Sequence, residues 1–552
     1  MQIFFHILKK LINFLKNNFA LLTQCEVLLY NFTVILTLES LFISFAKSEK
    51  RRLSIPKQKP FLFRRKTMKK IISLLLTALM IFTLAVPAFA AEGEAAEAEK
   101  YDGLPVVVVR GIDFAGLTYE DGSKALTFNI MELFPLLIDA VLAQFMLKEE
   151  DGLVDGIFGI AESVLSPIAA DKEGNSIEPV SMVQYPESMA SYPEFTENLA
   201  DVTEMGIVKT CINKYGAENT YFFTYDWRKT PAELASELNS LIETAKTDSG
   251  KDQVNIICAS MGCMVTTAYM YYHGTDSINS AVYLSGAHNG TYVAGDALNG
   301  RIHFDTDVII NIINSATGNN FLLKVLLKVF DVLGVFDYLT NFFNEFVAEN
   351  FDKANDLVLR DCMGTLCGFW ALCPDDDFYS GIENIFGGHE QEYSVLLEKL
   401  EGTGEFVCST EETLTKAVND GVKLTFASNY NIGLVPVYER SNLNGDMVLE
   451  AELTSNFATI APLYETLDEE YLAGRDQKYI SADKVIDAST ALFPEYTWFV
   501  KDAGHVAADN GSDYSAFTFT LLESEVQPTV DMFPEYPQFM IADENLALSP
   551  LK

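Results

Sequence analysis

The sequence predicts an α/β fold: a mainly parallel sheet covered on both faces by helices, with a helical cap or lid inserted. Three observations predict it. Short β-branched runs recur along the chain, helical patterns separate them, and one run passes through a Ser-x-Gly turn directly into a helical pattern.

Leu104-Pro-Val-Val-Val-Val-Arg110 is a continuous apolar run closed by Gly111, which suits a strand buried on both faces. Residues 220–225, 254–258, 280–285 and 422–427 read in the same way. Between them lie helical patterns over 232–246, with Leu234, Leu238 and Leu241 on one face, and over 262–272. One α/β domain is expected, its core in two parts, 103–295 and 416–525, interrupted by the stretch 116–200 and by a helical cap or lid at 296–415. The cap contains apolar helical patterns at 321–330 and 336–346; such wide faces are commonly core, and over an active site they serve as a lid. Residues 526–552 read as a C-terminal tail.

Charge divides the chain. The whole sequence has 39 Lys and Arg against 77 Asp and Glu, a net of −38. Residues 1–90 carry 14 basic and 3 acidic residues; residues 91–552 carry 25 and 74, a net of −49. That acidity argues against nucleic-acid binding and against docking on anionic membranes. With 49% hydrophobic residues the chain can bury a large core, and the acidity reads as a solvated surface.

Met68-Lys69-Lys70 precedes an uncharged run, 71–86, and then Ala88-Phe89-Ala90, the layout of a secretory signal peptide with cleavage expected after Ala90. The run is short for a membrane span. Residues 1–67 are therefore expected to be an upstream mis-start segment, with Met68 the true start and 68–90 the signal peptide. Residues 91–102 form an acidic linker, and the product is expected to be secreted or held at the extracellular surface. Seven cysteines follow, Cys211, Cys258, Cys263, Cys362, Cys367, Cys373 and Cys408, too few for a disulfide scaffold and odd in number.

The chemistry concentrates at Val254-Asn-Ile-Ile-Cys-Ala-Ser260-Met-Gly262, where strand, turn and helix meet as in a nucleophile elbow. Small residues flank the serine because backbone crowds such a turn; Cys258 stands where a first glycine is usual. A nucleophilic serine needs a base, an acid that orients the base, and donors for the oxyanion. His505 follows an apolar run near the end of the domain, where the elbow order of Ser, acid and His puts the base. His288 reads as structural or as a rim residue, and His273, His303 and His389 as surface or lid residues. Acidic residues are plentiful between Ser260 and His505. Asp446, on a turn after Gly445, leaves room for the insertion, whereas Asp502 and Asp509 lie too near His505 in sequence. The backbone N–H groups of Met261 and Ile112 are the candidate oxyanion donors, Gly111 permitting close approach.

Together, Tyr225-Asp226-Trp227-Arg228, Ala259-Ser260-Met261-Gly262-Cys263, Gly286-Ala-His-Asn-Gly-Thr291 and Gly445-Asp446-x-Val448 resemble the lecithin:cholesterol acyltransferase-like family of α/β-hydrolases. Phe369-Trp-Ala-Leu-Cys-Pro374 fits the same comparison. The resemblance runs as scattered blocks through 104–510, and Asp-Trp-Arg is its most specific block. Arg110 and Cys258 depart from the family pattern. The resemblance implies an α/β-hydrolase fold with Ser260 as nucleophile, Asp446 as acid, His505 as base, and Ile112 and Met261 as oxyanion donors. Asp226, Trp227 and Arg228 would support the site.

The expected function is an exported serine acyl hydrolase or O-acyltransferase on lipid esters. An apolar cap suits an acyl chain, since each buried CH₂ contributes ~0.8 kcal/mol. An amidase or peptidase on the same fold, or a non-catalytic cell-surface binding protein, are the alternatives. No phosphate-binding loop, EF-hand loop or zinc motif occurs, so no cofactor and no metal are expected. The oligomeric state is not legible in the sequence.

Overall fold

The computed structural model describes residues 101–125, 165–193, 206–306, 310, 335–351, 355–435, 438–510 and 512–552. The expected upstream segment 1–67, the signal peptide 68–90, the linker up to residue 100 and the apolar run 321–330 lie outside the described residues.

Eight strands make the central sheet. They are β1 (Val106–Val109), β2 (Thr220–Phe223), β3 (Val254–Ala259), β4 (Ile278–Leu284), β5 (Lys423–Tyr430), β6 (Thr497–Lys501), β7 (Phe539–Ala542) and β8 (Leu548–Pro550). Their order across the sheet is β8-β7-β6-β5-β4-β3-β1-β2. All neighbours run parallel except β7 and β8. Helices cover both faces, which is the α/β-hydrolase architecture that the sequence predicts.

Alternation along the strands feeds two apolar layers. Val107, Val109, Ile256, Cys258 and Phe426 face one cluster, while Val106, Val108, Ile257, Val282 and Val500 face the other. The first layer packs against α2 (Pro231–Ser249) and α3 (Met261–His273); the second packs against α1 (Gly206–Tyr215) and α9 (Ser512–Leu522). Local signals set the bounds of α2. The Thr230 hydroxyl accepts from the Glu233 N–H at 3.3 Å, and the Glu233 carboxylate accepts from the Thr230 N–H at 2.9 Å. Pro231 opens the helix, and Gly250 closes it in the left-handed region at φ 67°.

Part of the stretch expected to be a cap packs against the sheet domain. After α4 (Tyr292–Leu298) and α5 (Val335–Glu349), helices α6 (Asp375–Phe386), α7 (Ser394–Val407) and α8 (Thr410–Asn419) pack onto the first layer. Trp370, Phe378, Leu400, Phe406 and Leu414 share one apolar cluster with β3 and α3. The end of the chain also differs from its expected role as a tail. Within 526–552, β7 pairs with β6 and β8 turns back against β7, burying Met540 and Ala542. The run Phe539-Met-Ile-Ala542 is only four residues long and stands among prolines and acids, so composition masks it. Of the seven cysteines from Cys211 onward, six are buried and Cys408 is exposed.

Candidate active site

In a parallel sheet the C-terminal ends of the strands share one edge, and the loops on that edge carry the predicted residues. Ser260 follows β3 directly, at φ 53° and ψ −128°, and caps α3. A side-chain-bearing residue in that region costs on the order of 1–3 kcal/mol, so its surroundings must hold it. The Ser260 N–H donates to the Leu284 carbonyl at 3.1 Å, and the Ser260 carbonyl accepts from the Ala287 N–H at 2.9 Å. Gly262 is required by space: a Cβ there would lie 2.4 Å from the carbonyl oxygens of Val109 and Arg110. Cys258, in the place of the usual first glycine, is fully buried.

The loop after β1 presses against this turn. A Cβ on Gly111 would come within 2.8 Å of the Ser260 Cβ. The Arg110 guanidinium pairs with Asp113 at 2.7 Å, and the Arg110 carbonyl accepts from the Tyr225 hydroxyl at 3.0 Å. The Arg110 side chain thus ties the start of the loop that carries Ile112 to Asp113 at its far side. The Ile112 N–H donates to no acceptor among the described residues. Met261 is the first residue of α3, where a helix leaves its N–H groups without intrahelical partners. These are the two expected oxyanion donors.

Asp446 and His505 are brought together. Asp446 follows the two-residue strand Asn444–Gly445, which pairs with Ile432–Gly433 just beyond β5. His505 lies four residues past β6. His505 Nδ1 and Asp446 Oδ2 are 2.8 Å apart, and the His505 N–H donates to the Asp446 carbonyl at 3.0 Å. The other carboxylate oxygen accepts the N–H groups of Val448 at 3.0 Å and Leu449 at 2.8 Å. With Nδ1–H donating to Asp446, the Nε2 lone pair is left for another partner. Burial works against a charge on His505, but the Asp446 carboxylate, aided by Asp509, outweighs it and raises the imidazole above its ordinary range.

The Asp-Trp-Arg block lies after β2, at the far end of the sheet. Arg228 grips Asp226 with two parallel bonds, at 2.9 and 2.7 Å, and also donates to Ser176 Oγ at 2.9 Å and to the carbonyls of Ile168 and Val180. It fastens residues 168–180 to the sheet. Trp227 is buried, edge-on to Phe114 of the β1 loop, with ring centroids 5.2 Å apart. None of these hydrogen bonds or ring contacts involves Ser260.

His288 is buried among Tyr283, Phe426 and Asn456, and its Nε2 lies 2.9 Å from Asn456 Oδ1. Burial lowers its pKa to about 4 despite that bond. Three residues behind the acid loop escape sequence reasoning. Glu450 is fully buried and accepts from the Tyr438 hydroxyl at 2.7 Å, the Thr291 hydroxyl at 3.1 Å and the Tyr292 N–H at 3.2 Å. Burial raises it to about 7. Asn429 and Tyr514 form a buried pair behind the His505 loop. The one signal for Asn429 is an amide near the end of a strand that is otherwise readable from Leu424, Phe426 and Ala427. Among the described residues, no group of three or more His, Cys, Asp or Glu is arranged to hold a metal ion.

Residues 191–321 match the family model for lecithin:cholesterol acyltransferase, in keeping with the resemblance read from the motifs. The matched stretch includes the Asp-Trp-Arg block, the elbow and residues 286–291; Asp446 and His505 lie beyond it. No curated protein matches the chain significantly. Among solved structures, a chain from the crystal structure of the Tle4–Tli4 complex is similar at 11% identity and a TM-score of 0.20. That likeness covers 36% of this chain and 48% of the other, so this chain spans about half the length of that one.

Proposed function

We propose that the protein is a serine acyl hydrolase or O-acyltransferase acting on lipid esters, with Ser260, Asp446 and His505 as its triad. One observation carries the reading. A strained serine at an elbow shares the sheet edge with a histidine whose Nδ1 lies 2.8 Å from a buried carboxylate. The match of residues 191–321 to an acyltransferase family supports the lipid-ester substrate.

On this reading Asp446 holds the His505 ring with Nε2 unprotonated. Nε2 takes the proton from Ser260 Oγ as Oγ attacks the acyl carbonyl. The oxyanion accepts the N–H groups of Met261 and Ile112, each such donor contributing about 10²–10³ in rate. His505 then returns the proton to the departing alcohol, leaving an acyl-Ser260. Water or a second alcohol, deprotonated by His505, releases the acyl group. The elbow's strain serves this chemistry, because it turns Oγ out of the strand toward the loops of the sheet edge.

A fluorophosphonate probe followed by peptide mapping tests the assignment. Labelling is expected on Ser260 alone, and it is lost in Ser260→Ala together with hydrolysis of p-nitrophenyl acyl esters. Full activity in a folded Ser260→Ala protein would end the reading. A panel of matched esters and amides should show esters cleaved and amides spared. The reading includes export with cleavage after Ala90, which N-terminal sequencing of the secreted product checks: it should begin at Ala91.

A further inference from the structure

An amide side chain inside a buried strand must find partners for both its ends. Asn429 lies on β5 and is 1% exposed. Its Oδ1 accepts from the Tyr514 hydroxyl at 2.7 Å, and its Nδ2 donates to the Gly504 carbonyl at 3.1 Å. Tyr514 is fully buried on α9. Burial, and after it the Asp446 carboxylate, hold its phenol well above the usual range, so it stays a donor.

The partner of Nδ2 gives the pair its meaning. The Gly504 carbonyl belongs to the peptide unit that enters His505. That oxygen also accepts from the Ala507 N–H at 3.0 Å, and the N–H of the same peptide unit donates to the Asp446 carbonyl at 3.0 Å. Both polar ends of one peptide plane are thus tied down. A plane so held fixes the N–Cα bond from which the His505 side chain springs, leaving φ as the one backbone torsion that can still redirect it. Asp446 secures one end of that plane. The other end is anchored to the sheet by a side chain that sequence reading did not single out.

We infer that Asn429, oriented by Tyr514, is a positioning residue that sets where His505 points; this rests on the triad reading above. Asn429 touches no reacting atom. It acts through the Gly504–His505 peptide, coupling α9 and β5 to the base. A base displaced by about 1 Å loses on the order of 10²-fold in rate.

The test uses the full chain and a p-nitrophenyl acyl ester. Asn429→Asp keeps the acceptor for Tyr514 but puts an oxygen where the Gly504 carbonyl needs a donor, and Asn429→Leu removes both bonds. Each is expected to lower kcat about 10–100-fold with KM within about twofold. Tyr514→Phe should lower kcat about 3–10-fold, and should add nothing further in the Asn429→Leu background, because the tyrosine acts through the amide. A purely structural role would not move the acid limb of kcat/KM. Here the limb should shift to lower pH in Asn429→Leu, which adds no charge of its own, because a misaligned His505 loses part of what Asp446 and Asp509 contribute to its proton affinity. In NMR, the downfield His505 Nδ1–H resonance should weaken while the fold persists by circular dichroism. If Asn429→Leu does not fold, Asn429→Asp and Tyr514→Phe decide the matter alone.

Folded Asn429 variants with kcat within twofold of the parent, or multiplicative losses in the double variant, would overturn the inference. The two readings fail separately. Full activity in Ser260→Ala removes the triad, whereas an inactive Ser260→Ala beside fully active Asn429 variants removes only the positioning role.

Discussion

His288 and His505 occupy equivalent places in the fold. Each lies four residues beyond the C-terminal end of a parallel strand, β4 for the one and β6 for the other, and each ring is largely buried. Their chemistry is opposite. His288 meets a neutral amide, Asn456, and its pKa falls to about 4. His505 meets the Asp446 carboxylate, and its pKa is raised. Burial penalises charge in both; only the second has a partner that outweighs it. The difference teaches that a loop on the catalytic edge does not make a histidine a base. On the proposed reading, the charge of its hydrogen-bond partner does.

The largest test of this contrast exchanges the two histidines for alanine. His505→Ala should lower kcat by about 10⁵–10⁶-fold, whereas folded His288→Ala should stay within about tenfold of the parent. Equal losses in an ester hydrolysis assay would erase the distinction. Next, Asp446→Asn gives His505 a neutral amide partner like the one His288 has, and should cost about 10⁴-fold in kcat.

The third test is thermodynamic. The His288 pKa lies below that of the unfolded chain, so between about pH 6.5 and 4 the unfolded state binds a proton that the native state does not. Stability is therefore fully present above pH 6.5 and falls as the pH drops through this window, by roughly 3 kcal/mol from this residue. Urea unfolding of the parent and His288→Gln at pH 7 and 5 measures it: the parent should lose more than the variant. A smaller effect comes from Asp509, which adds to the raised pKa of His505. On the proposed reading the unprotonated ring is the base, so kcat/KM should rise with pH through an apparent pKa above the ordinary histidine value. Asp509→Asn should move that limb to lower pH, and an unmoved limb would remove Asp509 from the electrostatics of the site.

Much of the fold was legible because its strands are local statements. Val106–Val109 and Val254–Ala259 are buried on both faces and need no distant information to be seen. The Ser-Met-Gly turn between strand and helix is likewise read locally, although the crowding that demands its glycine comes from the distant Val109 and Arg110 carbonyls at the end of β1. β7 and β8 were hidden because a four-residue strand carries almost no periodic signal, and only pairing with β6 declares it. The cap helices were visible as helices, but their wide apolar faces could not say whether core or substrate lay beneath them. In the fold α7 and α8 lie against α3, while α6 packs on α4 and α7 within the same apolar cluster.

The sequence by itself therefore determined the fold class, the elbow serine and the short set of histidines and acids from which a base could be drawn. These depend on residue type and on spacing within one or two elements. The tertiary structure decided that Asp446 meets His505, that Asn456 meets His288, and that Asn429 and Tyr514 stand behind Gly504. Those contacts join residues 59, 168, 75 and 85 positions apart. A proton's affinity for a buried ring is set by the few ångströms around it, which no local stretch of sequence encodes.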